Sequence, residues 1–297
     1  VSIPYYRLEK KNHRIAVGPT FRANWQLYTK RRKVLLDMYR QLVEGDFDGV
    51  IADYEPFVSR AALRLGLPLV NFCHQAVLDR HPGIGLPAAQ ASIANRIMMP
   101  VVPRYTVSSS FFDGDLGPII RREIVAARGR YEQGDHVLVY ASKSIRENLP
   151  AALPDLPQVG FEIYPREDGD FVRDLASARG VIAPAGHQML SEALYLGLPV
   201  LAFPQAGQYE QLLNARMLER SGMGMSGTLG TAEADVRDFV SKLDEFPLHE
   251  PDPRIRFLFA NDAEAAATKL ERLIQEQRRR VRPGAAVRRL LNSGEAA

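Results

Sequence analysis

Cysteine is almost missing from this chain: Cys73 is the only one in 297 residues. No disulfide can form within the chain, and a reducing compartment, the cytoplasm, is the expectation. No apolar run approaches the roughly 18 residues that a membrane-spanning helix needs, and the first residues lack the basic-then-apolar layout of a leader. Val1-Ser2-Ile3-Pro4 reads instead as a start inside a domain. An excess of one charge is also lacking, because 38 Lys and Arg face 35 Asp and Glu for a net +3. The basic residues are unevenly spread, with Arg278, Arg279, Arg280, Arg282, Arg288 and Arg289 gathered near the end. No aromatic side chains interleave with them as a base-stacking surface requires, which argues against a nucleic-acid partner. The run reads first as a solvated helix face; the sharper reading is contact with anionic lipid. No His/Cys/Asp cluster has zinc spacing, and no Gly-Lys-Ser/Thr phosphate loop or Gly-x-Ser-x-Gly nucleophile turn occurs. Asp113-Gly114-Asp115 has the Asp-x-Asp spacing of a divalent-metal site, but it lies in a segment rich in Gly and Pro and reads as a turn, so no metal is expected.

What the sequence does have is alternation. Leu27, Val34, Leu35, Met38 and Leu42 recur at helical spacing between Trp25 and Glu44, and Gly45-Asp46 ends that helix. Val50-Ile51-Ala52 then makes a short strand, Pro56 opens a helix that stops at Gly66, and Leu69-Val70-Asn71-Phe72 makes a second strand. One such crossover predicts parallel strands, and it places Asp53 with Glu55, and His74 with Gln75, beyond adjacent carboxyl ends, where open α/β sheets hold ligands. Ala88 to Met99 reads as a helix in a stretch otherwise rich in Pro, Gly and Ser. Further strands are expected at Val137-Leu138-Val139-Tyr140, Val181-Ile182-Ala183 and Val200-Leu201-Ala202-Phe203, and a closing helix through Ala263, Ala267, Leu270, Leu273 and Ile274.

The segment Gly180 to Leu194 carries the most chemistry. It reads as a strand, a tight Ala185-Gly186 turn, and a helix whose first amides lack intrahelical acceptors and so favour a phosphate group. Glu192 lies too deep in that helix to cap it, and its carboxylate could take hydrogen bonds from ribose hydroxyls beside a diphosphate; the plain alternative is a solvated helix residue. A second segment, Phe203 to Ala215, clusters Gln208, Glu210 and Gln211 at the next loop-to-helix turn, above apolar Leu212, Leu213, Met217 and Leu218.

The order Ala185-Gly186, Ser191-Glu192-Ala193-Leu194, Leu196-Gly197, Pro199, Gln208, Glu210-Gln211 and Asn214-Ala215 resembles the donor-site signature of GT-B glycosyltransferases. It is similar to that of the lipid-linked N-acetylglucosaminyltransferase of bacterial cell-wall synthesis and its uncharacterised microbial relatives. Ala52-Asp53-Tyr54-Glu55-Pro56, Leu67-Pro68, His74-Gln75 and Pro118-Ile119-Ile120-Arg121 with Glu123-Ile124 match the first domain of that family, so the likeness runs from Val1 to about Gly224. It implies an α/β fold of two Rossmann-like domains facing across a cleft, the first incomplete at its N-terminus because the family's opening strand and histidine-bearing glycine loop have no counterpart here. The expected division is 1–125 on the acceptor side, 126–253 holding the nucleotide sugar, and 254–297 as terminal helix and basic tail.

The resemblance further implies that Glu192 holds ribose, that Gly186 and His187 approach the diphosphate, that Gln208, Glu210 and Gln211 meet the sugar, and that Ser191 is a further donor-binding residue. The implied donor is UDP-linked and the implied transfer inverting, metal-independent and free of any cofactor, since the nucleotide sugar is a substrate. The acceptor's class stays open between a lipid-linked molecule and a glycan, with peripheral membrane contact through the basic tail. For the base that takes the acceptor's proton the candidates are Asp53, Glu55 and His74, or a group before Val1. Pro184 stands where the family often has glycine, and the linker from Phe161-Glu162-Ile163-Tyr164 to Phe171 is shorter than its base-binding region. Two rival functions share the fold: a nucleotide-sugar epimerase and a non-catalytic nucleotide-sugar-binding protein.

Overall fold

The computed structural model describes residues 10–11, 14–15, 17–23, 25, 29, 31–99, 103–141, 149, 153 and 155–280. It divides into two compact units, one taking in Ile15–Ser108 with the terminal segment from Glu264, the other Ser109–Ala263.

In the first unit the helix expected from Trp25 is present as α1 (Arg31–Glu44), with Trp25 and Thr29 also helical. Strand β1 (Val50–Ala52), helix α2 (Pro56–Leu65) and strand β2 (Leu69–Cys73) form the expected crossover. Val50 pairs with Leu69 and Ala52 with Asn71 in parallel register. Helix α2 has both end signals in working order. Pro56 fills the first turn, the Glu55 carboxylate accepts from the amides of Phe57 (3.1 Å) and Val58 (2.6 Å), and Gly66 closes the helix at φ 67°, a conformation that favours glycine. Helix α3 (Leu86–Met98) leads to β3 (Thr106–Ser108), which pairs parallel with the other side of β2. Met38, Leu42, Val58, Ala61, Ala62 and Leu65 bury the α1–α2 contact against β1 and Leu69. The lone thiol, Cys73, is buried beside the Met99 sulfur.

The second unit begins with a loop and α4 (Arg122–Ala127). It continues through β4 (His136–Tyr140), β5 (Gly160–Tyr164), α5 (Phe171–Ala176), β6 (Gly180–Pro184), α6 (His187–Tyr195), β7 (Val200–Phe203), α7 (Tyr209–Arg220), β8 (Gly224–Ser226) and α8 (Ala232–Ser241). Its five strands run in the order β8-β7-β6-β4-β5, all parallel. A parallel sheet needs cover on both faces, which is why β6 and β7 read as unbroken apolar runs and are buried almost throughout. Val137, Val139, Ile182, Leu201, Phe203, Val236 and Phe239 make the core beneath α8.

Phe161–Tyr164, read from the sequence as linker, is instead the edge strand β5, paired with β4 along its whole length. Gly160 and the charged Glu162 break the apolar pattern there, as an edge position tolerates.

Helix α9 (Ala263–Arg280) closes the described chain and packs with the first unit. Gln277 acts as a substitute strand neighbour: its side-chain oxygen accepts from the Leu69 amide (3.1 Å) and its nitrogen donates to the Leu69 carbonyl (3.0 Å). Gly49 allows the approach, since a Cβ there would lie 2.8 Å from the Ile274 side chain. Of the terminal arginines, Arg278 pairs with Asp48 at 2.7 Å, while Arg282, Arg288 and Arg289 lie outside the described residues. Among the described residues no helix is long and apolar enough to cross a membrane.

Candidate functional site

The donor-site residues named from the sequence all lie in the second unit, beyond the carboxyl ends of β6 and β7. Strand β6 ends in a tight turn in which the Gly186 amide donates to the Pro184 carbonyl at 2.8 Å. Gly186 is then the cap residue of α6, without any side-chain cap, and its carbonyl accepts from Leu190 at 3.2 Å. The opening amides of a helix have no intrahelical acceptor, so the start of α6 presents N–H groups and the positive end of the helix dipole together. A glycine is not demanded here by the fold, because φ is −75° and a Cβ would meet no atom within 4 Å. Buried Asn214 on α7 holds the turn in place by donating to the Ala185 carbonyl at 3.0 Å.

His187 opens α6 with its ring stacked on that of Phe111, centroids 6.1 Å apart and planes 15° from parallel. Ser191 lies one turn below, buried, with its hydroxyl 3.2 Å from His187 Nε2. Phe111 belongs to a loop that folds back on itself through Ser110 and Leu116, and that Phe257 and Arg256 fasten by donating their amides to the carbonyls of Phe111 and Phe112. Asp113-Gly114-Asp115 forms the far part of that loop, where the Gly114 carbonyl accepts from Arg256 Nη2 at 2.9 Å. Among the described residues no group of three His, Cys, Asp or Glu side chains is placed to hold a metal ion.

Glu192 is not a solvated helix residue. It is 1% exposed, and Arg121 grips both carboxylate oxygens, through Nε at 2.7 Å and Nη2 at 2.6 Å. Gln188, one turn earlier, donates to the same carboxylate at 2.8 Å and reaches the Ile119 carbonyl at 3.3 Å. The Arg121 guanidinium also lies 5.4 Å from the centre of the Phe171 ring. Hydrogen bonding to Glu192 raises the guanidinium's proton affinity above its ordinary value, so it stays charged. Pro118-Ile119-Ile120-Arg121, grouped with the first domain on resemblance, thus packs within the second unit.

At the neighbouring turn Gln208 is the cap residue of α7, again without a side-chain cap, and Glu210 follows in the first turn. Gln211 is engaged inside the protein, because its side-chain oxygen accepts from the Gln205 amide at 2.9 Å and braces the loop before the helix.

The three base candidates lie on the first unit. Asp53 follows β1 and is exposed. Glu55 is occupied as the cap of α2, and burial pushes its carboxyl above the ordinary range against the opposing pull of the two amides. His74 is buried at the start of a short 3-10 helix, Gln75–Asp79, and its carbonyl accepts from Val77. Residues that no role was given from sequence, Asn214, Gln188 and Gln205, prove to build the site. Gln188 carried a local signal in its four-residue spacing from Glu192, Asn214 stood in the donor-site signature without a role, and Gln205 carried none.

The sequence profile described as glycosyl transferase family 1 matches residues 3–244. The chain belongs to glycosyl transferase family 1. An uncharacterized glycosyltransferase of Methanosarcina mazei is 45% identical over 56 residues, which cover 19% of this chain and span only 15% of that relative's length. Among solved structures, MurG of Acinetobacter baumannii is similar with a TM-score of 0.52 and 18% identity, over 82% of this chain and 78% of that one. The glycosyltransferase VinC, solved in complex with dTDP, is similar with a TM-score of 0.52 and 16% identity, over 82% and 76%. At these identities the likeness is one of fold, and this family 1 chain has the GT-B α/β fold.

Proposed function

We propose that this family 1 chain transfers a sugar from a nucleoside-diphosphate sugar, UDP-linked, to an acceptor hydroxyl. The observation that carries the reading is the start of α6, where a glycine that the fold does not need leaves open space in front of amides that have no intrahelical acceptor. That arrangement suits the close approach of a diphosphate. Glu192, behind it, is a buried carboxylate matched to ribose hydroxyls. Gly186 and His187 face the diphosphate in this reading, Ser191 acts through the His187 ring it touches, and Gln208 and Glu210 meet the sugar while Gln211 holds their loop. In this reading the unit holding Ile15–Ser108 serves the acceptor and the unit holding Ser109–Ala263 serves the donor, so the expected boundary near residue 125 moves to about residue 108, and the terminal helix from Glu264 belongs with the acceptor unit.

The acceptor oxygen attacks the anomeric carbon as the bond from that carbon to the diphosphate oxygen breaks, which inverts the centre. The nucleoside diphosphate departs with the electron pair, and its charge is met by the α6 amides and dipole, so the step as proposed uses no metal and no cofactor. Asp53 is the first choice for the base that removes the acceptor's proton, because it is an exposed carboxylate beyond the carboxyl end of β1. A lipid-linked acceptor would bring the cytoplasmic chain to a membrane surface through the arginines from Arg278 onward.

Incubation with a panel of UDP-, dTDP- and GDP-sugars tests the proposal. Transfer, or slow hydrolysis without acceptor, releases nucleoside diphosphate. An isomerised nucleotide sugar would replace the proposal with an epimerase, and binding without turnover in the presence of acceptor extracts would replace it with a binding protein.

A further inference from the structure

We propose that Arg121 is a latch on the donor-site carboxylate: it occupies both oxygens of Glu192, and ribose hydroxyls must displace it. The inference rests on the reading of Glu192 as the ribose acceptor, and it adds a conformational step to that site.

The pairing fills three of the roughly four acceptor positions of the carboxylate. Arg121 Nε and Nη2 lie 2.7 and 2.6 Å from the two carboxylate oxygens, and Gln188 supplies a third donor at 2.8 Å. With three donors already on a carboxylate that is 1% exposed, two ribose hydroxyls enter only by replacing donors that are there. The two partners differ in freedom. Glu192 is enclosed on α6, whereas the Arg121 side chain is 49% exposed and can swing away by rotation about its own bonds. The residue precedes α4 in an extended conformation at φ −58° and ψ 141°, so no helix has to unwind for it to move. The guanidinium also lies 5.4 Å from the centre of the Phe171 ring while it is paired, a contact that belongs to the closed latch and adds to what a ligand must displace. Gln188 is tied to Ile119 as well and stays.

The latch lowers apparent affinity by the fraction of molecules in which the carboxylate is open. It acts only on ligands that use Glu192, because a nucleotide lacking both ribose hydroxyls binds without opening it. The ratio of affinities for UDP and 2′,3′-dideoxy-UDP therefore isolates the latch, since any direct contact of Arg121 with phosphate or base affects both ligands alike and cancels.

The experiment is calorimetric titration of UDP and 2′,3′-dideoxy-UDP into wild type, Arg121→Gln and Arg121→Lys, with a thermal melt of each variant. The expected result is a UDP preference in wild type that rises about tenfold in Arg121→Gln, the scale of one charged hydrogen-bonded pair with a half-exposed partner. Arg121→Lys, which keeps the charge but loses the two-pronged grip, should raise it by a smaller factor, and it answers the question alone should the glutamine variant fail to fold. A clear UDP preference that neither variant changes would overturn the latch and leave the ribose reading intact. Equal affinities for the two nucleotides in every protein would overturn the ribose role of Glu192 and the latch with it.

Discussion

Replacing Gly186 by alanine separates folding from donor binding. The backbone there is already in a region open to alanine, at φ −75° and ψ 132°, and the added methyl group meets no atom within 4 Å. Two small folding terms oppose each other. Loss of glycine's freedom in the unfolded chain stabilises by about 0.4–1 kcal/mol. Alanine is a poorer helix cap than glycine, which costs roughly 0.5–1 kcal/mol. The net change is about zero, within ~0.5 kcal/mol, and the melting temperature of the variant should stay within ~2 °C of wild type. The methyl group stands where the diphosphate is proposed to approach the amides of α6. UDP affinity should fall at least about tenfold, equivalent to ~1.4 kcal/mol. Thermal melts and calorimetric titration of both proteins give the two numbers side by side. Unchanged UDP affinity with an unchanged melt would refute the placement of the diphosphate at this turn.

The remaining predictions concern the site's supports and its surroundings. Asn214→Ala removes the donor that holds the Ala185 carbonyl and should cost about 1–3 kcal/mol of stability, read as a lower denaturant midpoint; no change would mean that the turn holds itself. Asp53→Asn should keep UDP affinity and lose most of the transfer rate, whereas Glu55→Ala should lose ~1 kcal/mol of stability as a missing cap. Near-normal turnover in both would remove the two carboxylates from the proton transfer. Binding to anionic vesicles should weaken with salt and on replacing Arg278, Arg279 and Arg280 by glutamine; identical binding by the variant would leave these arginines as a solvated helix face.

Much of the fold was legible because parallel strands buried on both faces are written as short apolar runs. Val181-Ile182-Ala183 and Val200 to Phe203 each became such a strand, Val50-Ile51-Ala52 became one with Ile51 exposed, and Gly66 marked a helix end by the one backbone conformation it needed. The edge strand β5 was harder to read. Gly160–Tyr164 carries a charge and a glycine at a position that has no strand on one side among the described residues, and that weakens the pattern. Within the site, the turn at Ala185-Gly186 and the depth of Glu192 in its helix were readable from spacing. The pairing of Glu192 with Arg121 was not, since 71 residues separate them and neither has a local partner that announces the other. Gln211 shows the same limit in reverse: a polar residue in a promising cluster proved to brace a backbone amide.

The most direct test of the central claim is a crystal structure of the protein with UDP. The account predicts the diphosphate against the first amides of α6, beside Gly186 and His187, with the ribose hydroxyls on Glu192 and the Arg121 guanidinium moved off that carboxylate. A nucleotide bound elsewhere, with Arg121 still paired to Glu192 and the turn at Gly186 empty, would contradict it.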